Sequence, residues 1–176
     1  MRVELNPHAE TQSRAVANVA VEAARADRGM LALRFEASGD LRDLVVPAKA
    51  RGRADGLWRT TCFEAFLAPA GAAGYCEFNF SPSGQWAAYR FDGYRQGMRA
   101  LEEIYDPHIE IEAGPELLSV TVDLDLAAAL PRREAWRLGL SAVIAVAGED
   151  TSYWALAHPV AKPDFHHPDN FALELP

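Results

Sequence analysis

Short runs in which apolar and polar residues alternate recur along the chain, and Gly, Pro, Asn, Asp and Ser residues separate them. An alternation with period two is typical of strands that bury one face and leave the other outside the core. Runs at this spacing predict an all-β fold, a sandwich or a barrel, built as one domain from residues 1–176. The predicted strands are 30–36, 57–67, 75–80, 85–92, 108–112, 117–124, 138–146, 152–157 and 171–175.

One segment, residues 11–26, gives two signals. Its alanines favour a helix by propensity, whereas Val16, Val19 and Val21 favour a strand. The residues of this segment alone leave both alternatives open.

Two alternating runs on either side of a Ser-Pro-Ser-Gly sequence predict a β-hairpin. Strand alternation places Glu77 and Asn79 on one face and the phenylalanines of the same run on the other. With an even number of residues in the loop, Trp86 and Arg90 share the face of Glu77 and Asn79. A loop of four residues then places Arg90 opposite Glu77 as a cross-strand charge pair.

The same rule groups further aromatic and polar residues. In the run 57–67, Trp58 shares a face with Glu64, and in the run 152–158, Trp154 shares a face with His158. A tryptophan ring can stack on a sugar ring, while carboxylate, amide and guanidinium groups bond its hydroxyls. The candidate ligand-binding residues of this face are Trp58, Glu64, Glu77, Asn79, Trp86, Arg90 and Trp154.

The alternative for this face is a structural one. The tryptophans then pack beneath loops that cover the sheet, since large aromatic residues are usually buried. In that case Glu77 and Arg90 form a structural ion pair.

The segment 158–170 holds a second group of polar residues, and its three prolines keep it extended over the edge of a sheet. As a lid it offers His158, Lys162, His166 and His167 to an acidic or hydroxylated small molecule. Hydrogen-bonded loop histidines are the alternative. The spacing presets no chelating pair of histidines, so the sequence predicts no metal site and no cofactor.

The sequence predicts a protein without catalytic activity. GxSxG, Walker-type, GxGxxG and HExxH motifs do not occur in it. The catalytic alternative is a glycosidase carboxylate pair formed by Glu64 and Glu77.

The net charge of the chain and its apolar runs limit the kinds of partner that the sequence predicts. Among 176 residues, 25 acidic against 17 basic side chains give a formal charge of -8, which disfavours nucleic acid and anionic membranes as partners. The N-terminus shows no secretory or transit pattern, and the longest apolar run, 138–147, falls short of the roughly 20 residues that a membrane span needs. The two cysteines, Cys62 and Cys76, are expected to be thiols. Together these features lead us to expect a cytoplasmic protein.

The segments GLWRTTCFEAFLAP, YCEFNFSPSGQWAAYRF and YWALAHPVAKPDFHHPDNFAL make nearly the whole chain resemble cytoplasmic DOMON-like proteins related to family 9 carbohydrate-binding modules. The most specific elements are Trp58 with Glu64-Ala-Phe66, and Glu77-Phe-Asn79. The resemblance implies an antiparallel β-sandwich of roughly jelly-roll type, a strand in the segment 11–26 and a ligand pocket on one sheet. It also implies a sugar or sugar derivative as the ligand.

Two other functions follow from the same residues. Some relatives bind haem through an axial Met and His, for which this chain offers Met98 with His158 or His108. Alternatively, the aromatic face is covered by a second subunit, which makes the protein an interaction or homodimerisation module.

Overall fold

Alternating apolar residues build strands along most of the chain, as shown by a computed structural model that describes residues 1–26, 29–131 and 134–176. Short 3-10 turns lie at Leu57–Arg59 and Pro168–Asn170. The strands within the described ranges are β1 (Arg2–Glu4), β2 (Asn6–Pro7), β3 (Val16–Ala26), β4 (Met30–Gly39), β5 (Gly52–Arg53), β6 (Cys62–Pro69), β7 (Tyr75–Phe80), β8 (Gln85–Phe91), β9 (Arg99–Ala100), β10 (His108–Ala113), β11 (Leu117–Asp125), β12 (Trp136–Ile144), β13 (Ser152–Ala155) and β14 (Leu173–Leu175).

The strands form two sheets. One has the order β1-β3-β4-β11-β10, and the other has the order β2-β13-β12-β6-β7-β8-β5, with β14 on β12 and β9 on β8. The short β5–β8 pairing is parallel, and the long strands pair antiparallel. The predicted all-β antiparallel sandwich is therefore confirmed.

The main core lies between the two sheets. Val19, Phe35 and Val120 face it from the five-stranded sheet, and Phe63 and Phe78 face it from the nine-stranded sheet. The rings of Phe35 and Phe63 meet with their centroids 5.1 Å apart, so the inner faces of the two sheets interdigitate. The side chains on the other face of the nine-stranded sheet therefore point away from this core.

A second apolar cluster covers that outer face. Phe66, Tyr75, Tyr89 and Phe91 of the sheet contribute to it, together with residues of the segment 158–171, including Phe165. Here and below, "outer face" means this face of the nine-stranded sheet.

The segment 11–26, for which the sequence allows a helix or a strand, forms a strand from Val16 onwards. Val19, Val21 and Ala23 are buried at every second position, and β3 pairs with β4 over its length. Burial of this alternating apolar face outweighs the helical propensity of the alanines, since intrinsic propensity is a weak preference. The strand implied by the family resemblance is confirmed for Val16–Ala26.

The predicted run 57–67 is a strand only from Cys62. Its first residues form the 3-10 turn Leu57–Arg59, after Gly56 in the left-handed region at φ 72°. The other eight predicted runs contain strands, with ends shifted by up to three residues. No helix among the described residues is long and apolar enough to cross a membrane.

Both cysteines are free thiols buried in different clusters. Cys62 belongs to the outer-face cluster, whereas Cys76 faces the core between the sheets. Since the two side chains lie on opposite faces of one sheet, they cannot reach each other without movement of the backbone.

Candidate functional site

A cavity of about 360 Å³ lies on the outer face, above the centre of the nine-stranded sheet. Strands β6, β7 and β8 form its floor. The 3-10 turn at Leu57–Arg59, the turn 93–98 and the segment 158–167 form its walls. The lining residues are Trp58, Glu64, Glu77, Phe91, Arg95, Met98, Val143, Tyr153, Pro163, Phe165 and His166.

Two glutamates reach the cavity from adjacent strands. The register pairs Glu64 with Asn79 and Phe66 with Glu77, so Glu64 and Glu77 are diagonal neighbours on one face. Diagonal neighbours lie about 7–8 Å apart along the sheet, within reach of long side chains. Both residues are nearly inaccessible to solvent, at 3% exposure for Glu64 and 5% for Glu77.

Few donors serve these carboxyl groups. Asn79 Nδ2 donates to Glu77 Oε1 at 2.7 Å, and Ser141 Oγ donates to Glu64 Oε2 at a longer 3.4 Å. Among the residues that the structure describes, none donates to Glu64 Oε1. The pair is therefore buried with hydrogen-bonding capacity still open towards the cavity.

Burial makes both carboxyl groups hard to ionise. Loss of solvation raises the pKa of Glu64 well above its ordinary value, and the charge of Glu77 adds to that shift. Loss of solvation also raises the pKa of Glu77, against the opposing effects of the Asn79 hydrogen bond and the Arg95 charge. The two groups therefore hold protons more tightly than exposed glutamates do.

His166 joins the segment 158–171 to the floor of the cavity. Its Nδ1 lies 2.7 Å from the Tyr75 hydroxyl, and the backbone N–H of Arg95 donates to that hydroxyl at 3.2 Å. Since the hydroxyl oxygen already accepts from Arg95, its proton is free for Nδ1, which leaves the imidazole proton on Nε2. Nε2 lies 3.7 Å from Glu77 Oε2.

The imidazole of His166 is neutral at ordinary pH. Burial, with a smaller effect of the Arg95 charge, lowers its pKa to about 4, although the charge of Asp164 acts in the opposite direction. His166 therefore offers the cavity a neutral N–H donor.

Arg95 is fixed by Asp164 across the mouth of the cavity. Arg95 Nη2 and Nε lie 2.7 and 3.2 Å from Asp164 Oδ1, and the Tyr94 hydroxyl donates to Asp164 Oδ2. Arg95 also adopts a left-handed backbone with φ 54°, which is uncommon for a residue other than glycine. These bonds tie the turn 93–97 to the segment 158–170.

Aromatic rings line much of the remaining wall. Phe91 stacks on Tyr75 with centroids 4.7 Å apart and an angle of 7° between the planes. Trp58 meets Tyr89 edge-on at 6.1 Å and is 37% exposed, so part of its ring faces solvent at the rim. Tyr153 and Phe165 form the opposite wall, with centroids 6.1 Å apart. The cavity thus combines flat apolar walls with a polar floor.

Four of the predicted binding residues line this cavity: Trp58, Glu64, Glu77 and His166. Asn79 lies beside them on the floor and supports Glu77. Trp58 arrives from the 3-10 turn and not, as predicted, from a strand.

The predicted face of Trp86 and Arg90 is wrong. The structure pairs Phe80 with Trp86, and Ser81 N–H donates to Gln85 O, so three residues and not four connect the strands. An odd connection reverses the parity of β8. Tyr89 therefore lies opposite Glu77, in the position predicted for Arg90.

Trp86 and Arg90 consequently lie away from the cavity. Trp86 packs in the core between the sheets, with the Arg53 guanidinium over its ring. Arg90 pairs across the strands with Cys76 and donates to Ala129 O at 3.2 Å. The predicted charge pair between Glu77 and Arg90 does not form.

Trp154 was also assigned to the wrong face. It packs in the core between the sheets, and its Nε1–H donates to Ser152 Oγ at 3.0 Å. The outer position of β13 belongs to Tyr153, which lines the cavity.

Three residues of the predicted lid also lie elsewhere. His158 Nε2 lies 2.8 Å from Asn6 O, in a separate surface groove. Lys162 is exposed, and His167 faces Tyr94 outside the cavity. The segment does cover the cavity, but with Pro163, Phe165 and His166.

Several lining residues are not among those that the sequence predicts. Phe91 and Tyr153 would have followed from the correct parity of β8 and β13. Arg95, Met98 and Phe165 lie in irregular segments and carry no periodic signal in the sequence.

The haem pairs predicted from the resemblance are not assembled. Met98 lines the cavity, whereas His158 lies in the groove beside Asn6 and His108 lies on β10 of the other sheet. Within the described ranges, no group of three or more His, Cys, Asp or Glu side chains is placed to hold a metal ion.

Comparison with known proteins shows the fold. No family model matches the chain, and no curated protein matches it. A solved structure of a candidate carbohydrate-binding protein from Bacteroides uniformis ATCC 8492 is similar over 95% of this chain and 83% of that chain, with a TM-score of 0.60 and 14% sequence identity. A family 9 carbohydrate-binding module from Caldicellulosiruptor kristjanssonii, in complex with glucose, is similar over 86% of this chain and 73% of that chain, with a TM-score of 0.48 and 14% identity.

Proposed function

We propose that the protein is a non-catalytic binding module for a small carbohydrate-like ligand, which occupies the cavity on the outer face. One observation carries this proposal: two buried glutamates face a cavity whose walls are aromatic. Clefts that combine apolar walls with a few convergent polar groups are the usual form of small-molecule sites.

The size of the cavity favours a small ligand. Its volume of about 360 Å³ is at the lower end of the roughly 300–1,000 Å³ range of ligand sites. We therefore propose a ligand of one or two sugar rings, with one ring face against Trp58 or Phe165.

The polar groups suit hydroxyl recognition. The free carboxyl oxygens of Glu64 and Glu77 can accept hydrogen bonds, and the N–H of His166 can donate one. Because these groups are already desolvated and held by neighbours, binding costs little further ordering of side chains.

The fold is compatible with this function. The candidate carbohydrate-binding protein of Bacteroides uniformis shares it across most of both chains. We propose that the chain is related to DOMON-like proteins and family 9 carbohydrate-binding modules, as the sequence resemblance implies.

The state of the two carboxyl groups supports a non-catalytic role. A glycosidase needs one protonated carboxyl group and one ionised carboxylate, so their environments push the two pKa values apart. Here burial raises the pKa of both Glu64 and Glu77. The two environments therefore shift both pKa values in the same direction and do not push them apart.

A screen of sugars, sugar phosphates and nucleotide sugars by thermal shift and titration calorimetry tests the proposal. We expect at least one compound to raise the melting temperature of the wild type, and Trp58→Ala to reduce its affinity at least about tenfold. Tyr105→Ala is the matched control, since Tyr105 is 83% exposed and does not line the cavity. The proposal fails if no compound binds, or if both variants bind as the wild type does.

The rim of the cavity favours a second candidate function, a protein interface. Trp58, Tyr94 and Met98 are large apolar residues that stay exposed there. Light scattering distinguishes the two functions. A wild-type dimer that dissociates when Tyr94 is replaced in Tyr94→Asp indicates a protein interface, whereas a monomeric wild type that binds sugars indicates a ligand site.

A further inference from the structure

The fixed charges around the cavity do not balance. Among the described lining residues, Arg95 is the one side chain with a permanent positive charge, against two glutamates. Arg95 is already bound through Nε and Nη2 by the carboxylate of Asp164. Its charge therefore acts on the two glutamates from a distance, without a hydrogen bond to either of them.

Among the residues that the structure describes, no permanently charged cation is hydrogen-bonded to either glutamate. Asn79 donates a hydrogen bond to one oxygen of Glu77, and Ser141 donates one to an oxygen of Glu64, but both of these donors are neutral. His166 Nε2 lies 3.7 Å from Glu77 Oε2, which is beyond hydrogen-bond distance. Ionised carboxylates that are buried in proteins are normally paired with a cation or a metal ion, and the described part of the chain places no such partner against Glu64 or Glu77.

The aromatic walls favour the same kind of partner. Trp58, Phe91 and Phe165 line the cavity beside the glutamates. The faces of such rings attract an ammonium group, most strongly where water is excluded. A cationic nitrogen in this cavity would therefore be stabilised both by the glutamates of the floor and by the aromatic rings of the walls.

We infer that the ligand carries a protonated amine, which lies against Glu64 and Glu77 and supplies a cation there. This inference rests on the proposed carbohydrate-like ligand, and it names amino sugars as the ligand class. An amine in place of a hydroxyl on the same ring adds a charge without adding an atom other than hydrogen, so the two kinds of sugar can be compared directly.

Titration calorimetry at neutral pH with matched pairs tests the inference. The pairs are glucosamine and glucose, galactosamine and galactose, and mannosamine and mannose. Ethanolamine and ethylene glycol form a fourth pair without a sugar ring. We expect one amino sugar to bind at least about tenfold tighter than its hydroxyl counterpart, as one charge-assisted hydrogen bond would give.

Isosteric variants locate the charge. Glu64→Gln and Glu77→Gln keep the shape of each side chain, and we expect each to reduce the preference for the amine to less than about threefold. Glu112→Gln is the matched control, because Glu112 lies exposed on β10 of the other sheet. Should a variant fail to unfold cooperatively, the ratios measured with the wild type alone still decide the question.

The outcomes separate the inference from the proposed function. Equal binding of both members of every sugar pair overturns the inference and leaves the carbohydrate function standing. Binding of ethanolamine without any sugar supports the amine and overturns the carbohydrate. Binding of none of the eight compounds overturns the inference, and failure of the wider screen as well overturns the function.

Discussion

Replacement of Trp86 by alanine tests the register on which the cavity depends. The sequence pattern placed Trp86 on a ligand-binding face, whereas the structure places it in the core at 2% exposure. The matched substitution is Trp58→Ala, because Trp58 is 37% exposed at the rim of the cavity. The two variants remove a tryptophan from the two sides of one sheet, Trp86 from a strand and Trp58 from the 3-10 turn above the outer face.

The structure fixes the size of the two effects. Loss of a buried tryptophan leaves a cavity and costs about 3–5 kcal/mol of unfolding free energy. The Arg53 guanidinium lies 4.3 Å from the centre of the Trp86 ring, and its loss adds about 0.5–1 kcal/mol. For a chain of this length each kcal/mol lowers the melting temperature by about 2–4 °C, so Trp86→Ala should lower it by about 7–24 °C. Trp58→Ala should lose less than about 1 kcal/mol.

Guanidinium unfolding followed by circular dichroism measures both values, and titration with a ligand found in the screen measures affinity. We expect Trp86→Ala to be destabilised with near-normal affinity of the folded fraction, and Trp58→Ala to be stable with weakened affinity. If Trp86→Ala costs less than about 1 kcal/mol while abolishing binding, the pairing of Phe80 with Trp86 is refuted.

Three further predictions follow from the site and its surroundings. Folding raises the pKa of Glu77 above its ordinary value of 4.5, so this residue favours the folded state at low pH and that stability is lost as pH rises through the folded pKa. Glu77→Gln should therefore be more stable than the wild type at neutral pH and equal to it near pH 4, in denaturant titrations at both values; a deficit at neutral pH contradicts this. Asp164→Asn frees Arg95 and should weaken ligand binding about threefold to tenfold while lowering stability by less than about 1 kcal/mol, since the ion pair is largely exposed on its arginine side; unchanged affinity by calorimetry shows that the bond is dispensable. Burial raises the pKa of Cys62, and that of Cys76 to about 11, so neither thiol should react with a thiol reagent until denaturant unfolds the chain, and rapid reaction of the native protein refutes their burial.

Periodicity located most of the strands, because a residue's face within one strand depends on local alternation alone. Glu64 and Glu77 are the clearest case. Each was assigned to the polar face of its own run, and both line the cavity. His166 was identified from a cluster of donors in the segment 158–170, although its contact with Tyr75 could not be foreseen.

Parity between strands was harder to predict. A change of one residue in the loop after β7 reverses every side chain of β8, which is why Trp86 and Arg90 were assigned to the wrong face. Trp154 fails for a related reason, since its face depends on how β13 pairs with β12 and not on its own alternation. Arg95 lies in a turn, where no period exists to predict it.

By itself the sequence determined that this chain is a two-faced β protein with a glutamate on the polar face of each of two successive runs, because side-chain alternation and burial of one apolar face are local requirements. Only the tertiary structure decided which aromatic residues enter the core and which surround the cavity. That decision depends on the length of one connection, on the pairing of distant strands and on the bonds that fix the segment 158–170 to the turn at Arg95. These are long-range contacts, and no pattern within a single strand encodes them.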